Sequence, residues 1–322
     1  MRVLLEAESG AVPERREPIC SLQRNVRQVN AMRRFVVFAC AIAGIVALGV
    51  LLPHSQFSHR AFADPQLQTN WSTGACAGND SNGWGHWGEA HVCELRESTL
   101  TLPSGDLSVQ TINGSIDVAG EDRSDVALEA TVNVWAPSES AANDLQKQIA
   151  IFTADGNIHA HGPHISFFTR GGYSISYRLH VPSKLAADFH TVNGGIHLSH
   201  LDGRLRFGAV NGAVTLDHLN GDVVGRTVNG GIHIVLAGDG WQGAGLSAKT
   251  VNGGIGVSLP ENYSAHLEAA TVNGGISVDF PITVQGTIKH HLDATIGSGG
   301  PAIHTQTVNG GINIKHGGGS AE

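Results

Sequence analysis

The chain has 322 residues, 42 of them Gly, with 41% hydrophobic residues and only 15% charged ones. Glycine at this density, with few long stretches of good helix formers, excludes a helical bundle, a coiled coil and a large α/β enzyme; the lack of a Gly at every third position excludes collagen. Residues 1–63 carry eight Arg and four Glu, whereas residues 64–322 carry 24 acids and 12 bases, within a formal net charge of −8, and so acidic and sparsely charged a body is no nucleic-acid binder.

Residues 35–52, FVVFACAIAGIVALGVLL, hold no charge and directly follow Arg33 and Arg34. A helix of that length rises about 27 Å, close to the hydrocarbon thickness of a bilayer. The Arg pair predicts that residues 1–34 stay in the cytoplasm and that everything after residue 52 faces outward. Two fates compete. In one, 35–52 is a permanent transmembrane anchor in the cytoplasmic membrane and 1–34 a cytoplasmic tail. In the other, it is the core of a signal peptide cut between Ala63 and Asp64, since Ala61-Phe62-Ala63 fits the A-x-A cleavage pattern. The product is then periplasmic or secreted, and Met32 is a natural start, with residues 1–31 an upstream extension.

Of four cysteines, Cys20, Cys40, Cys76 and Cys93, only the last two fall in the exported part. They bracket a Gly/Trp-rich loop, CAGNDSNGWGHWGEAHVC, within a linker of residues 53–94. In an oxidising compartment Cys76 and Cys93 are a disulfide candidate, and closing that loop stabilises by about 3 kcal/mol in the chain-entropy model. The competing reading is a metal site with His86 and His91, at a spacing that matches no standard zinc pattern.

The stretch 95–190 is irregular. Thr131-Val-Asn-Val-Trp135 reads as a strand. Residues 137–151 read as the single short helix, capped by Ser138 or Ser140 and carrying Leu145 and Ile149 as an i, i+4 apolar pair. Residues 158–160 and 173–181 read as further strands, with Gly171-Gly172 as a turn. The helix is expected to cover an end or edge of the sheet.

A hexapeptide then dominates. Thr191-Val-Asn-Gly-Gly-Ile196 recurs, with small changes, around Asn113, Asn193, Asn211, Asn229, Asn252, Asn273 and Asn309, at spacings of 80, 18, 18, 23, 21 and 36 residues. The last spacing is twice 18, which predicts a degenerate unit between Asn273 and Asn309. Each 18-residue unit holds two short β segments and two Gly-containing corners. The alternation predicts Val192, Ile196 and Leu198, and their equivalents in later copies, on one buried face. Asn and Gly both tolerate positive φ, so they suit a sharp bend. A fixed period predicts a β-solenoid or β-helix-like column, in which bends stack and Asn side chains hydrogen-bond from coil to coil, as amide ladders do. An antiparallel sandwich of hairpins is the alternative.

Ile175-Ser-Tyr-Arg-Leu-His-Val-Pro182, the Thr-Val-Asn-Gly-Gly-Ile units, Ser258-Leu-Pro260, Asp279-Phe-Pro281 and Gly297-Ser-Gly-Gly300 together resemble the bacterial adhesin-like β-strand repeat family, a domain of unknown function. The resemblance spans roughly residues 95–316, leaving 317–322 as a flexible tail. It implies an all-β, envelope-associated repeat protein, often with one N-terminal membrane segment, and it offers no catalytic residue or cofactor to carry over.

The 18 His residues raise a metal hypothesis. His159 and His161 share a strand face, with His164 beyond, and His197 and His200 lie three apart. The plainer reading is outward polar residues, since equivalent positions do not keep His. Asp202, Asp217 and Asp222 beside Arg204, Arg206 and Arg226 are the nearest thing to a carbohydrate-active cluster, and a surface ion-pair ladder explains them as well. The sequence therefore points to a non-enzymatic envelope protein without cofactor, displaying a surface for adhesion or scaffolding to envelope glycans or proteins. A membrane-anchored envelope sensor is the alternative, and a β-helix carbohydrate-active enzyme comes third.

Overall fold

The computed structural model describes residues 71–76, 89–102, 105–165, 170–282 and 289–317. The segment 35–52, the Ala63-Asp64 junction, most of the loop between the cysteines and the last five residues lie outside them. Among the described residues no helix is long and apolar enough to cross a membrane.

The chain enters through β1 (Ser72–Ala75) and β2 (Ala90–Leu100), an antiparallel pair. β3 (Asp106–Asn113) and β4 (Ile116–Glu121) form the first coil. An excursion follows through β5 (Val126–Ala136), α1 (Glu139–Gln146), β6 (Ala150–Phe152), β7 (Asn157–His161) and β8 (Gly172–Pro182). The chain then winds regularly, each turn one long strand and one short: β9 (Ala186–Asn193) with β10 (Ile196–Ser199), β11 (Asp202–Asn211) with β12 (Val214–Asp217), β13 (Asn220–Asn229) with β14 (Ile232–Val235). β15 (Gly245–Asn252) with β16 (Ile255–Leu259) and β17 (Ala265–Asn273) with β18 (Ile276–Val278) continue it. β19 (His291–Ile296), β20 (Ala302–Asn309) and β21 (Ile312–His316) complete the course.

Every long strand of a coil ends on the motif Asn; the backbone bends through Gly, and the short strand runs in a second sheet. The long strands form a ten-stranded sheet ordered β19-β17-β20-β15-β13-β11-β9-β3-β7-β6. The short ones belong to an eleven-stranded sheet ordered β1-β2-β5-β8-β4-β10-β12-β14-β16-β21-β18. Neighbouring coils pair parallel and in register, with Asn193 opposite Asn211, Asn211 opposite Asn229 and Asn229 opposite Asn252. The bends line up along one edge, so the arrangement is a β-helix-like column and the sandwich of hairpins is excluded.

At both ends the stack departs from sequence order. The β3–β4 coil lies between β7–β8 and β9–β10: β3 pairs with β7 and β9, and β4 with β8 and β10. The β20–β21 coil is likewise wedged between β15–β16 and β17–β18. Asn113 and Asn193, 80 residues apart in sequence, are therefore direct partners. The expected degenerate coil between Asn273 and Asn309 is replaced, among the described residues, by β19, which runs antiparallel to β17 over six residue pairs.

The core lies between the two sheets. Phe189, Leu205 and Val223 come from the long strands, and Ile196, Leu198, Val214 and Leu216 from the short ones, all at most 2% exposed. Each such side chain stabilises by about 1.5–3 kcal/mol on burial. The face assignment of the hexapeptide is half corrected. Its Ile and the residue two beyond point inward, but its Val points outward: Val192, Val210, Val228, Val251 and Val308 are partly exposed, Val272 is 38% exposed and Ile112 66%. The preceding Thr is buried instead. Period-two parity holds only within an unbroken strand; the strand stops at Asn, and the bend resets it.

At the N-terminal end the eleven-stranded sheet runs on past its partner, and α1 packs against β2 and β5. The helix is shorter than the expected 137–151. Ser138 caps it, accepting from the Ala141 N–H at 3.3 Å. It stops at Gln146, and Ile149 and Ile151 are buried in the turn to β6 and in β6 itself. Arg96 fixes the helix exit by donating to the Ile149 carbonyl at 2.8 Å, while Gln146 donates to Glu94 at 2.9 Å. The folded body also starts before residue 95, and the Cys76–Cys93 disulfide ties the end of β1 to β2 with a Cα–Cα distance of 5.8 Å.

Candidate interaction surface

The edge built by the seven bends is held by two parallel hydrogen-bond ladders. In spatial order it reads Asn113, Asn193, Asn211, Asn229, Asn252, Asn309, Asn273. Each Asn from the second onward donates its Nδ2 to the Oδ1 of the one before, at 2.8–2.9 Å. Beneath it the motif Thr donates to the carbonyl of the first motif Gly in the preceding coil: Thr191 to Gly114 at 3.0 Å, Thr227 to Gly212 at 2.9 Å, Thr250 to Gly230 and Thr307 to Gly253 at 2.8 Å. Ala209 occupies the Thr position in one coil and leaves one rung out.

The first Gly is required by spacing more than by handedness. A Cβ on Gly212 would overlap the Gly194 carbonyl, and one on Gly230 the Gly212 carbonyl. Only Gly114 and Gly194 of this row adopt left-handed φ, and none of the motif Asn does; the expected positive-φ bend is thus corrected to a close backbone approach. The second Gly is freer, and Ser115 and Ala213 stand there.

Beside the Asn ladder runs an aliphatic stripe, exposed at Ile112 and Val272 and partly exposed at the motif Val residues between them. The outer face of the short-strand sheet carries Asp117, His197, Thr215, His233, Gly256 and Asn313 in one register row, with His197 3.4 Å from Asp117. His200 and His218 sit at the opposite corners with φ of 56° and 53°. Their rings stack at 4.9 Å, and His218 lies 2.6 Å from Asp217.

The outer face of the long-strand sheet is charged. Arg206 donates to Asp222 at 2.8 Å, and Arg204 lies 3.7 Å from Asp106. The Arg206 hydrogen bond, and then its charge, holds the Asp222 carboxyl below the usual carboxylate range. Burial pushes the Lys249 ammonium down. Towards the end of the column Glu268 lies between His266 (3.3 Å) and His304 (3.1 Å), with Asp293 3.5 Å from His266.

The other sequence candidates stay apart. His159 and His161 share the outer face of β7, where His159 stacks on Phe152 at 5.2 Å; His164 lies beyond the strand end. His197 is on a strand and His200 in a corner. Among the described residues no group of three or more His, Cys, Asp or Glu is placed to hold a metal ion; His86 lies outside them. Asp217 belongs to one sheet, Asp222 to the other, and Asp202 begins β11. Sequence reasoning missed the Thr ladder, although Thr recurs in six of the seven copies. It also missed the His266/Glu268/Asp293/His304 group, which depends on the out-of-order parallel pairing of β17 with β20 and the antiparallel pairing of β17 with β19, neither of which leaves a periodic signal.

Residues 79–315 match the protein-family model described as Toastrack DUF4097. No curated protein matches the chain. Among solved structures the chain is similar to a "putative cell adhesion protein" from Clostridium sporogenes, at 14% identity, covering 69% of this chain and 100% of that one, with a TM-score of 0.39. It is similar to a "putative adhesin" from Bacteroides fragilis at 11% identity, covering 69% and 96%, with a TM-score of 0.32. A "putative lipid binding protein" from Parabacteroides distasonis matches at 10% identity over the same shares, with a TM-score of 0.27.

Proposed function

The chain belongs to the Toastrack DUF4097 family, and from that premise we propose that it is a non-enzymatic cell-envelope protein whose column serves as an adhesion or scaffolding surface. The observation that carries this reading is the outer edge: a continuous band of aliphatic side chains and amides, repeated at the spacing of the strands on a scaffold whose core is sealed. Such a band suits extended partners, envelope glycans or proteins, that gain affinity through many weak contacts. The Cys76–Cys93 disulfide supports an oxidising compartment. In this reading residues 35–52 export the chain, the segment between residue 52 and β1 links it to the column, and 317–322 form a tail. The chain is then anchored in the cytoplasmic membrane facing outward, or released after Ala63.

A second reading, an envelope sensor, is favoured by one feature: residues 1–34 carry seven Arg and four Glu, a charged segment that a permanent anchor would leave in the cytoplasm. N-terminal sequencing of protein from fractionated envelopes separates the two. A mature start at Asp64 removes the sensor; an intact residue 1–34 segment in the membrane fraction favours it. For the surface itself, glycan arrays and envelope preparations are probed with the folded protein and with His197→Ala/His233→Ala and Val192→Ser/Val228→Ser variants. Adhesion predicts binding that the variants weaken. Turnover of a polysaccharide would contradict the non-enzymatic reading.

A further inference from the structure

In six of the seven motif bends the Gly N–H is occupied. Gly114 donates to the Asn193 main-chain oxygen at 2.9 Å, Gly194 to Asn211 at 3.0 Å, Gly212 to Asn229 at 3.1 Å, Gly230 to Asn252 at 3.0 Å, Gly253 to Asn309 at 3.0 Å and Gly310 to Asn273 at 3.0 Å. Gly274 has no such acceptor among the described residues, in which its coil is the last of the stack. β19 pairs with β17 from Ala265 to Ala270, and the Thr271 N–H donates to His290 at 2.9 Å; among the described residues the pairing ends short of Asn273. The side chain follows the same logic. The Oδ1 of every other motif Asn accepts from its neighbour's amide. Asn273 is exposed, donates to Asn309 at 2.8 Å and, among the described residues, accepts nothing along the ladder.

We infer that Asn273-Gly274 is a site of spontaneous deamidation in the folded protein and that stacking protects the other six bends. The deprotonated Gly274 nitrogen attacks Asn273 Cγ, the bond from Cγ to Nδ2 breaks, and ammonia leaves with the proton. Solvent water then opens the cyclic imide at either carbonyl, giving aspartate or isoaspartate. A Gly N–H held in the ladder must first open before its nitrogen can be deprotonated. The site is set by position in the stack: Asn309 is the last motif Asn in the chain but interior, whereas Asn273 is outermost among the described residues. Among the described residues the Asn-Gly pair at Asn220 is held too, since Gly221 donates to Gln242 at 2.6 Å and Asn220 Oδ1 accepts from the Gln242 N–H at 3.1 Å; Asn82-Gly83 lies outside them. The product carries a carboxylate in place of the amide that donates to Asn309, so the last rung of the ladder is lost.

The test incubates the full chain in mildly alkaline buffer and follows each Asn-Gly peptide by mass spectrometry with isoaspartate detection. Asn273 is expected to convert about tenfold faster than Asn193, Asn211, Asn229, Asn252 or Asn309, the ratio that one lost hydrogen bond supplies. In denaturant the seven rates are expected to converge. The inference is overturned if Asn309 converts as fast as Asn273, if all seven convert alike in the folded protein, or if Asn273 keeps its lead in denaturant.

Discussion

At the scale of single residues, the motif is a set of four jobs. Thr is buried and turns its hydroxyl to a neighbouring carbonyl, Val faces out, Asn builds the amide ladder, and Gly lets one coil lie against the next. Ala209 is the one Thr position without a hydroxyl. Its neighbours Thr191 and Thr227 show that the site holds the larger side chain, so Ala209→Thr is expected to add a bond to the Gly194 carbonyl and about 1 kcal/mol of stability. Urea denaturation reads this directly, and a loss of stability would contradict the ladder. Asp222 makes the electrostatic case. Its folded pKa is depressed by Arg206, so its contribution is complete above the unfolded value of about 3.9 and vanishes as pH falls through the lower folded value. Both partners are well exposed, 38% and 41%, so solvent limits the contribution to about 1 kcal/mol or less. Asp222→Asn is expected to lower stability slightly near neutral pH and not at all in strong acid. An equal loss at both pH values would assign the effect to packing.

At the scale of elements, the intercalated coils change how the column comes apart. In an ordinary solenoid the terminal repeat has one neighbour and frays. Here β20 is paired on both sides, with β15 and β17, and β3 with β7 and β9. Native-state hydrogen exchange should therefore protect Ala302–Asn309 as strongly as β13. Exchange of β20 faster than that of β17 would mean the final coil is loosely held. The 18-residue spacing made the parallel register of β9 to β14 legible in the sequence, and the buried Ile196, Leu198, Val214 and Leu216 followed from alternation. The outward Val was not legible, because the bend resets strand parity. Nor was the placement of β20, because self-similar coils offer nearly equivalent neighbours, and local pattern does not say which one a returning strand joins. The helix end was misread because Leu145 and Ile149 fit a helical period equally well whether or not the chain turns at Lys147 into β6.

At the scale of the whole molecule, a disulfide next to the first strand opens a column that exposes one repeated edge. The stack order of that column differs from the chain order. Two cysteine pairs test that claim. V251C/V308C places the new thiols on directly paired parallel strands, at about the 4.8 Å strand spacing that a disulfide accepts. V251C/V272C places them two strands apart, with β20 between. Under mild oxidation of the folded protein, scored by peptide mapping, the first pair is expected to cross-link and the second to stay reduced. Cross-linking of Val251→Cys to Val272→Cys, with Val251→Cys and Val308→Cys remaining apart, would place the coils in sequence order and contradict the account.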